Sequence, residues 1–207
     1  MKKAMTVTYV VDGALYINLT NRCSNRCSFC IRNNGDGAYG SESLWLEREP
    51  TEKEVMEAVL SEELSSFREL VFCGYGEPTY RLELAREVAL SVKKKYPQMQ
   101  VRMNTNGQSD LINGGSTAHL FADAFDTVSI SLNTPSADLY AGMCLPVYGK
   151  SAFDSILSFA KDVKNYVHNV LLSVVRETLT EQQLAECADI AESLGVTLKV
   201  RTLITGN

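Results

Sequence analysis

Short strand-like runs alternate with stretches of helical periodicity from Leu15 to Thr202, and this alternation limits the fold more than any other feature. The strand candidates are Leu15–Thr20, Glu69–Cys73, Val101–Thr105, Thr127–Leu132, Val170–Val175 and Val196–Thr202. Between them, Thr51-x-x-Glu54 forms a capping box ahead of an apolar stripe of Val55, Met56, Val59, Leu60 and Leu64. Further helices are expected over Leu82–Lys95, Ser116–Ala124 and Ser151–Val167, and from Thr180-x-x-Gln183 to a closing Gly195. Ahead of this series, Thr6–Val11 and Ala14–Leu19 flank Asp12-Gly13, a two-residue hairpin turn. Strands joined by helices imply a parallel sheet with right-handed crossovers. A closed eight-stranded barrel takes about 250 residues, and this chain has 207. The expectation is an α/β fold, a partial (β/α)6 TIM-like barrel of parallel strands with an N-terminal hairpin strand, in a single domain over residues 1–207.

Strands of a parallel sheet are covered on both faces and normally read as continuous apolar runs. Here they alternate. Tyr16, Asn18 and Thr20 oppose Leu15, Ile17 and Leu19; Arg102, Asn104 and Asn106 oppose Val101, Met103 and Thr105. Ser129, Ser131 and Asn133 oppose Val128, Ile130 and Leu132, and Thr197, Lys199 and Arg201 oppose Leu198, Val200 and Thr202. With side chains alternating in period two, each strand has one polar face. If helices pack on the apolar face, the polar one looks into a shared interior. Burying such groups unpaired costs roughly 1–3 kcal/mol each, so a polar ligand or water is expected there. An antiparallel sheet with one solvated face is the alternative, and the long helical crossovers count against it.

The net charge of −5 argues against an electrostatic nucleic-acid partner. No apolar run approaches the ~20 residues of a membrane helix, and Met1-Lys2-Lys3 is not followed by a signal-peptide core. A cytoplasmic protein with no membrane partner is expected. In that compartment, six cysteines do not read as disulfides.

Three of the cysteines, Cys23, Cys27 and Cys30, fall in one C-x3-C-x2-C segment directly after the first parallel strand. Ligand sites of βα folds gather at that end of the strands. Three thiolates in one loop can hold a metal centre with one position vacant. A [4Fe-4S] cluster is usually held by four cysteines and structural zinc by four ligands, so zinc would need a distant fourth residue. His119 and His168 read as ordinary surface or packing residues, and Cys187 lies on a core stripe. Cys73 and Cys144 are near enough in the pattern to approach the site but read first as structural.

The C-x3-C-x2-C loop resembles the signature of the radical S-adenosylmethionine (radical SAM) superfamily. Gly74-Tyr75-Gly76-Glu77-Pro78-Thr79 resembles the family's Gly-Gly-Glu motif, with Tyr75 a departure from the commonest form, and Asn104-Thr105-Asn106-Gly107 resembles its third strand ending. The resemblance covers about residues 15–203. Together with Leu44-Trp45-Leu46-Glu47-Arg48-Glu49-Pro50, Phe72-Cys73 and Arg102-Met103, these segments are most similar to the small TatD-associated radical SAM proteins, a name that denotes a gene neighbourhood and no reaction.

The resemblance implies a single radical SAM core domain with a [4Fe-4S] cluster on Cys23, Cys27 and Cys30 and S-adenosyl-L-methionine on the remaining iron. Phe29 takes the position that meets the adenine, and Gly74, Tyr75, Gly76 and Glu77 the segment that receives the methionine ammonium. Asn104 and Asn106 belong to the matched strand-three ending. Ser129, Ser131 and Asn133 match the strand that touches ribose or carboxylate, Ser173 and Glu177 are placed to reach ribose hydroxyls, and Arg201 to pair with the carboxylate. The implied activity is reductive cleavage of SAM to methionine and a 5′-deoxyadenosyl radical, which abstracts hydrogen from an unidentified substrate, a macromolecule being one candidate. An external one-electron donor of the flavodoxin or ferredoxin type is implied, since only one cluster motif is present. The competing reading is a non-catalytic zinc or iron–sulfur protein serving structure or electron transfer. Residues 31–49, with Trp45, are expected to cover the site or meet substrate.

Overall fold

The computed structural model describes residues 2–204. The chain opens with the hairpin of β1 (Thr8–Val11) and β2 (Ala14–Ile17), antiparallel about Asp12 and Gly13. Both turn residues have positive φ, 48° and 73°, as a tight turn matched to strand twist requires. β2 then pairs in parallel with β3 (Glu69–Phe72), and β4 (Gln100–Thr105), β5 (Thr127–Ser131), β6 (Asn169–Val175) and β7 (Thr197–Arg201) follow in sequence order. Among the described residues the sheet does not close; β1 and β7 are its edges.

The intervening helices are α1 (Glu52–Leu60), α2 (Leu82–Lys95), α3 (Ser109–Asn113), α4 (Ala137–Cys144), α5 (Ser151–Val163) and α6 (Glu181–Leu194). Both sequence-read capping boxes form, at Thr51/Glu54 and Thr180/Gln183, and Gly195 closes α6 in the left-handed conformation. The main core lies between helices and one sheet face. Leu15, Ile17, Leu70, Phe72, Val101, Met103, Val128, Ile130, Leu172 and Val174 meet Val55, Val88, Ile156, Phe159 and Cys187. The opposite face carries the polar set. Tyr16, Val71, Arg102 and Thr127 pair across four strands, and so do Ser131, Ser173 and Lys199 across three. No helix among the described residues is long and apolar enough to cross a membrane.

One helix expectation is corrected. Ser116–Ala124 is not an α-helix. Gly114 adopts φ 72° and ends α3, and only a 3-10 turn, Ala118–Phe121, follows. α4 was not expected at all, being eight residues started by Ser136, whose hydroxyl accepts from the Leu139 N–H. Cys187 is core, as its helical stripe implies.

Candidate functional site

At the C-terminal ends of the strands lies a cavity of about 420 Å³. The loop after β2 brings Cys23, Cys27 and Cys30 to it, and Phe29, Gly74, Tyr75, Asn104, Asn106, Ser131, Asn133 and Arg201 line it with them. The expected residues that converge therefore come from segments far apart in sequence.

The cysteine loop is fixed by buried hydrogen bonds. The Asn25 amide donates to the Tyr140 hydroxyl of α4 at 2.8 Å, and Gln108 donates to Asn25 Oδ1 at 2.8 Å and to Tyr140 at 3.0 Å. Asn106 donates to Ser24 Oγ at 2.8 Å and lies 3.9 Å from Cys23 Sγ. Arg32 donates to the carbonyl of Asn25 at 2.9 Å and sits over the Trp45 ring. All three thiols are held above their ordinary pKa. Burial, and then the Glu77 carboxylate, push Cys23 up to about 12. A hydrogen bond with Cys144, then burial, raises Cys27, and burial raises Cys30. The cavity thus presents neutral thiols that a metal centre must deprotonate on binding.

Five expected contacts do not reach the cavity surface with their side chains. Glu77 is buried behind it. Its carboxylate accepts from Thr79 N and Oγ1, Thr105 Oγ1 and Asn106 N at 2.7–3.1 Å, while burial still holds its pKa above the usual carboxylate range. These hydrogen bonds join the segment after β3 to the end of β4. Gly76 is pressed against the chain that leaves β2; a Cβ there would stand 2.1 Å from the Thr20 carbonyl oxygen. Ser129 and Ser173 are on the polar face but sealed within it. Glu177 sits in a 3-10 turn beyond β6, where its carboxylate accepts from Leu203 N at 2.7 Å.

Tyr9, Tyr16, Asn25, Arg102, Lys199 and the segment 202–204 line the cavity without having been singled out as site residues from the sequence. Cys73, read as able to approach the site, lines it too, as do Ala38, Tyr39 and Leu44 of the segment 31–49. Tyr16, Arg102 and Lys199 were on the polar faces already read from the sequence; Cys73 shares the face of Val71, two residues earlier. Residues 31–49 form a wall of the cavity more than a cover. The Tyr75 ring packs edge-on to Trp45, and its hydroxyl donates to the carbonyls of Gly35 and Gly37. Neither histidine lines the cavity.

Among the described residues the cavity lining holds three cations, Arg102, Lys199 and Arg201, and no carboxylate. Three of its polar atoms are buried without a partner: Asn104 Oδ1, Asn133 Oδ1 and Arg201 Nε. Two acceptors and one donor left open around a hollow are what a ligand with both ammonium and carboxylate groups would satisfy.

The sequence model of the radical SAM superfamily matches residues 17–191. The chain belongs to that superfamily. Its members use a [4Fe-4S] cluster and SAM, and the donor set suits such groups: Cys23, Cys27 and Cys30 all line one hollow that also holds orphaned polar atoms, although among the described residues the three thiols are not drawn together into a closed ligand set. Over 96 residues, 46% of its length, it is 34% identical to the 5-amino-6-(D-ribitylamino)uracil–L-tyrosine 4-hydroxyphenyl transferase 1 of Methanosarcina barkeri. That stretch is 22% of the relative, so the chain matches about a fifth of the curated protein. Among solved structures it resembles SuiB of Streptococcus suis bound to the precursor peptide SuiA, with TM-score 0.68 and 16% identity, over 93% of this chain and 39% of SuiB. It also resembles a radical SAM methyltransferase from Sphaerobacter thermophilus, with TM-score 0.60 and 13% identity, over 94% of this chain and 68% of that one. At these identities the likeness is one of fold.

Proposed function

We propose that this radical SAM chain is the core of an enzyme that cleaves SAM reductively and uses the product to take hydrogen from a substrate. The observation that carries the reading is the convergence of Cys23, Cys27 and Cys30 with three unpartnered buried polar atoms on one cavity. Cys23, Cys27 and Cys30 would hold a [4Fe-4S] cluster. Such a cluster, when bound, would supply the electron for reductive cleavage of the SAM C–S bond. The residues orient the nucleotide. In this reading Arg201 Nε would meet its carboxylate, Asn104 and Asn133 would offer carbonyl oxygens to its ammonium or hydroxyls, and Ser131 and Asn106 would add polar contacts. Gly74 and Tyr75 bring the end of β3 to the hollow, with Phe29 beside the cysteines. Gly76 and Glu77 act behind that surface, holding the strand ends that shape it.

The two unpaired edges of the sheet both contribute to the cavity, Tyr9 from β1 and Lys199 and Arg201 from β7. An open side of this kind admits a macromolecular substrate. The Streptococcus suis neighbour is bound to a precursor peptide, and a peptide segment is the substrate class we favour. A one-electron donor of the flavodoxin or ferredoxin type completes the system, and a cytoplasmic setting suits it.

Anaerobic reconstitution tests the reading. Near four irons and four acid-labile sulfides per chain are expected, with 5′-deoxyadenosine released after reduction in the presence of SAM. Loss of iron is expected on replacing any of the three cysteines by Ala. Zinc alone, or a cluster that neither binds nor cleaves SAM, overturns the proposal in favour of a structural or electron-transfer metal protein.

A further inference from the structure

Among the described residues, two of the three cations lining the cavity have no counter-ion. Arg102 is answered by Glu69, its Nε and one terminal nitrogen donating to the two carboxylate oxygens at 3.1 and 3.0 Å. Neither Lys199 nor Arg201 forms an ion pair there, and no carboxylate lines the hollow with them. Glu177, just past β6, gives its carboxylate to the Leu203 N–H at 2.7 Å and is not part of the lining. Arg201 Nε is also buried without a hydrogen-bond partner. Lys199 and Arg201 stand two residues apart on β7 and share the face turned to the hollow. Lys199 is exposed, and so is Tyr39 of the segment 31–49; both nevertheless line the cavity, which places them at its mouth. A chain with a net charge of −5 thus gathers an unanswered positive pair at one cavity.

We propose that the mouth of the cavity selects an acidic peptide segment, Lys199 pairing with the carboxylate of an aspartate or glutamate side chain that enters the hollow. The inference rests on the reading that SAM occupies the hollow beside a cluster, and deepens it by naming the chemistry of the substrate. Charge balance decides which cation is left for that substrate. SAM carries a sulfonium and an ammonium against one carboxylate, so it brings a net positive charge. An oxidised [4Fe-4S] centre on three thiolates brings a net negative one, and the two offset each other. The SAM carboxylate meets Arg201 in this reading. Lys199 then remains unanswered, and of the groups that enter the hollow only the substrate is still unassigned. A cation facing a partly enclosed hollow costs free energy until an anion answers it, and charge-assisted N–H···O bonds are the strong kind. The flexible stem of lysine suits a target that arrives from outside, as a side chain on an extended segment does. A segment presenting lysine meets like charge and is rejected.

The test uses the full chain, anaerobically reconstituted and saturated with SAM. Isothermal titration calorimetry measures its affinity for short capped alanine-rich peptides that differ only in a central glutamate, aspartate, glutamine or lysine. Wild type is compared with Lys199→Gln, Lys199→Glu and Lys199→Arg. Wild type is expected to bind the two acidic peptides about tenfold more tightly than the glutamine peptide. Lys199→Gln erases that preference, Lys199→Arg keeps it, and Lys199→Glu turns it toward the lysine peptide. A purely structural role for Lys199 weakens all four peptides alike, and that result overturns the inference. So does binding by wild type without regard to charge, or no binding of any peptide. A short RNA that binds wild type more tightly than the acidic peptides, and is lost in Lys199→Glu, assigns the cation to a phosphate backbone and equally overturns it. Iron content and 5′-deoxyadenosine release on reduction, measured on the same preparations, judge the underlying reading separately. A chain that cleaves SAM yet shows no charge preference loses this inference alone; one that assembles no cluster loses both.

Discussion

The Glu77 carboxylate accepts four hydrogen bonds, from Thr79 N and Oγ1, Thr105 Oγ1 and Asn106 N, and is buried. Those bonds fix the end of β4, from which Asn104 and Asn106 reach the cavity. Glu77→Ala leaves four donor groups unpaired away from water, each costing about 1–3 kcal/mol before relaxation. We expect a loss of about 3 kcal/mol of stability in denaturant unfolding of the cluster-free protein. The pH dependence has a definite sign. Burial raises the folded-state pKa of Glu77 above the ordinary carboxylate value, its hydrogen bonds opposing that rise. An acid with a raised folded pKa binds its proton more tightly when folded. Its stabilising share is thus present at pH below the unfolded value and declines as pH rises through the folded one. The stability of wild type relative to Glu77→Gln, which stays neutral, is expected to fall across that rise; a flat difference would contradict it. Gly76, beside Glu77, packs against the chain that leaves β2. A methyl group at Gly76→Ala meets the backbone oxygens of Thr20 and Arg22 at 2.1 and 2.7 Å. Backbone cannot swing aside as a side chain can, so a cost of about 1–3 kcal/mol or a failure to fold is expected, measured by the same unfolding experiment.

At the scale of elements, α4 holds the cysteine loop. Its Tyr140 hydroxyl accepts from both Asn25 and Gln108, and its last carbonyls accept from Arg26 and Ser28. Tyr140→Phe keeps the ring, which lies in the core, and strands two buried donors. A loss of about 2 kcal/mol is expected, with fewer irons retained per chain during gel filtration; unchanged iron retention would show that α4 does not position the loop. Such a helix was not legible in the sequence. Its exposed Leu139 and the exposed Leu145 and Val147 just after it give no amphipathic stripe, and its contribution is a set of C-terminal carbonyls, which periodicity does not register. The strands were legible because period two assigns every residue to a face, and the polar face did prove to hold the cavity. Period two does not give depth. Ser131 lines the hollow while Ser173, its partner across the sheet, is sealed beneath it. Glu77 and Gly76 were visible as a motif, but their function behind the surface depends on how closely two strand ends approach. That distance has no signature in either strand alone.

At the scale of the whole molecule, the loop from β2 to α1 is tied to distant parts of the chain. Asn21 holds Leu46 by two hydrogen bonds, and Ala4 donates to the Trp45 carbonyl at 2.9 Å. Arg26 and Ser28 reach α4, and Asn34 donates to the carbonyl of Ile204 beyond β7 at 2.9 Å. A centre bound to Cys23, Cys27 and Cys30 would therefore stabilise more than its own loop. Anything that binds the folded state alone adds its binding free energy to the stability of the whole cooperative unit. The protein supplies its own local reporter, since Trp45 is the single tryptophan and packs edge-on to Tyr75 within this loop, with ring centroids 5.2 Å apart. Far-ultraviolet circular dichroism reports instead on the helices and sheet. If the loop and the sheet form one unit, urea unfolding gives coincident midpoints by the two probes, and chelating the iron lowers both together. A tryptophan transition that moves alone, with the dichroism midpoint unchanged, would mean that the cysteine loop folds around its centre independently. The hydrogen bonds to α4, the N-terminal segment and residue 204 would then contribute little to cooperativity, and the cavity would be a docking place for a separately ordered loop.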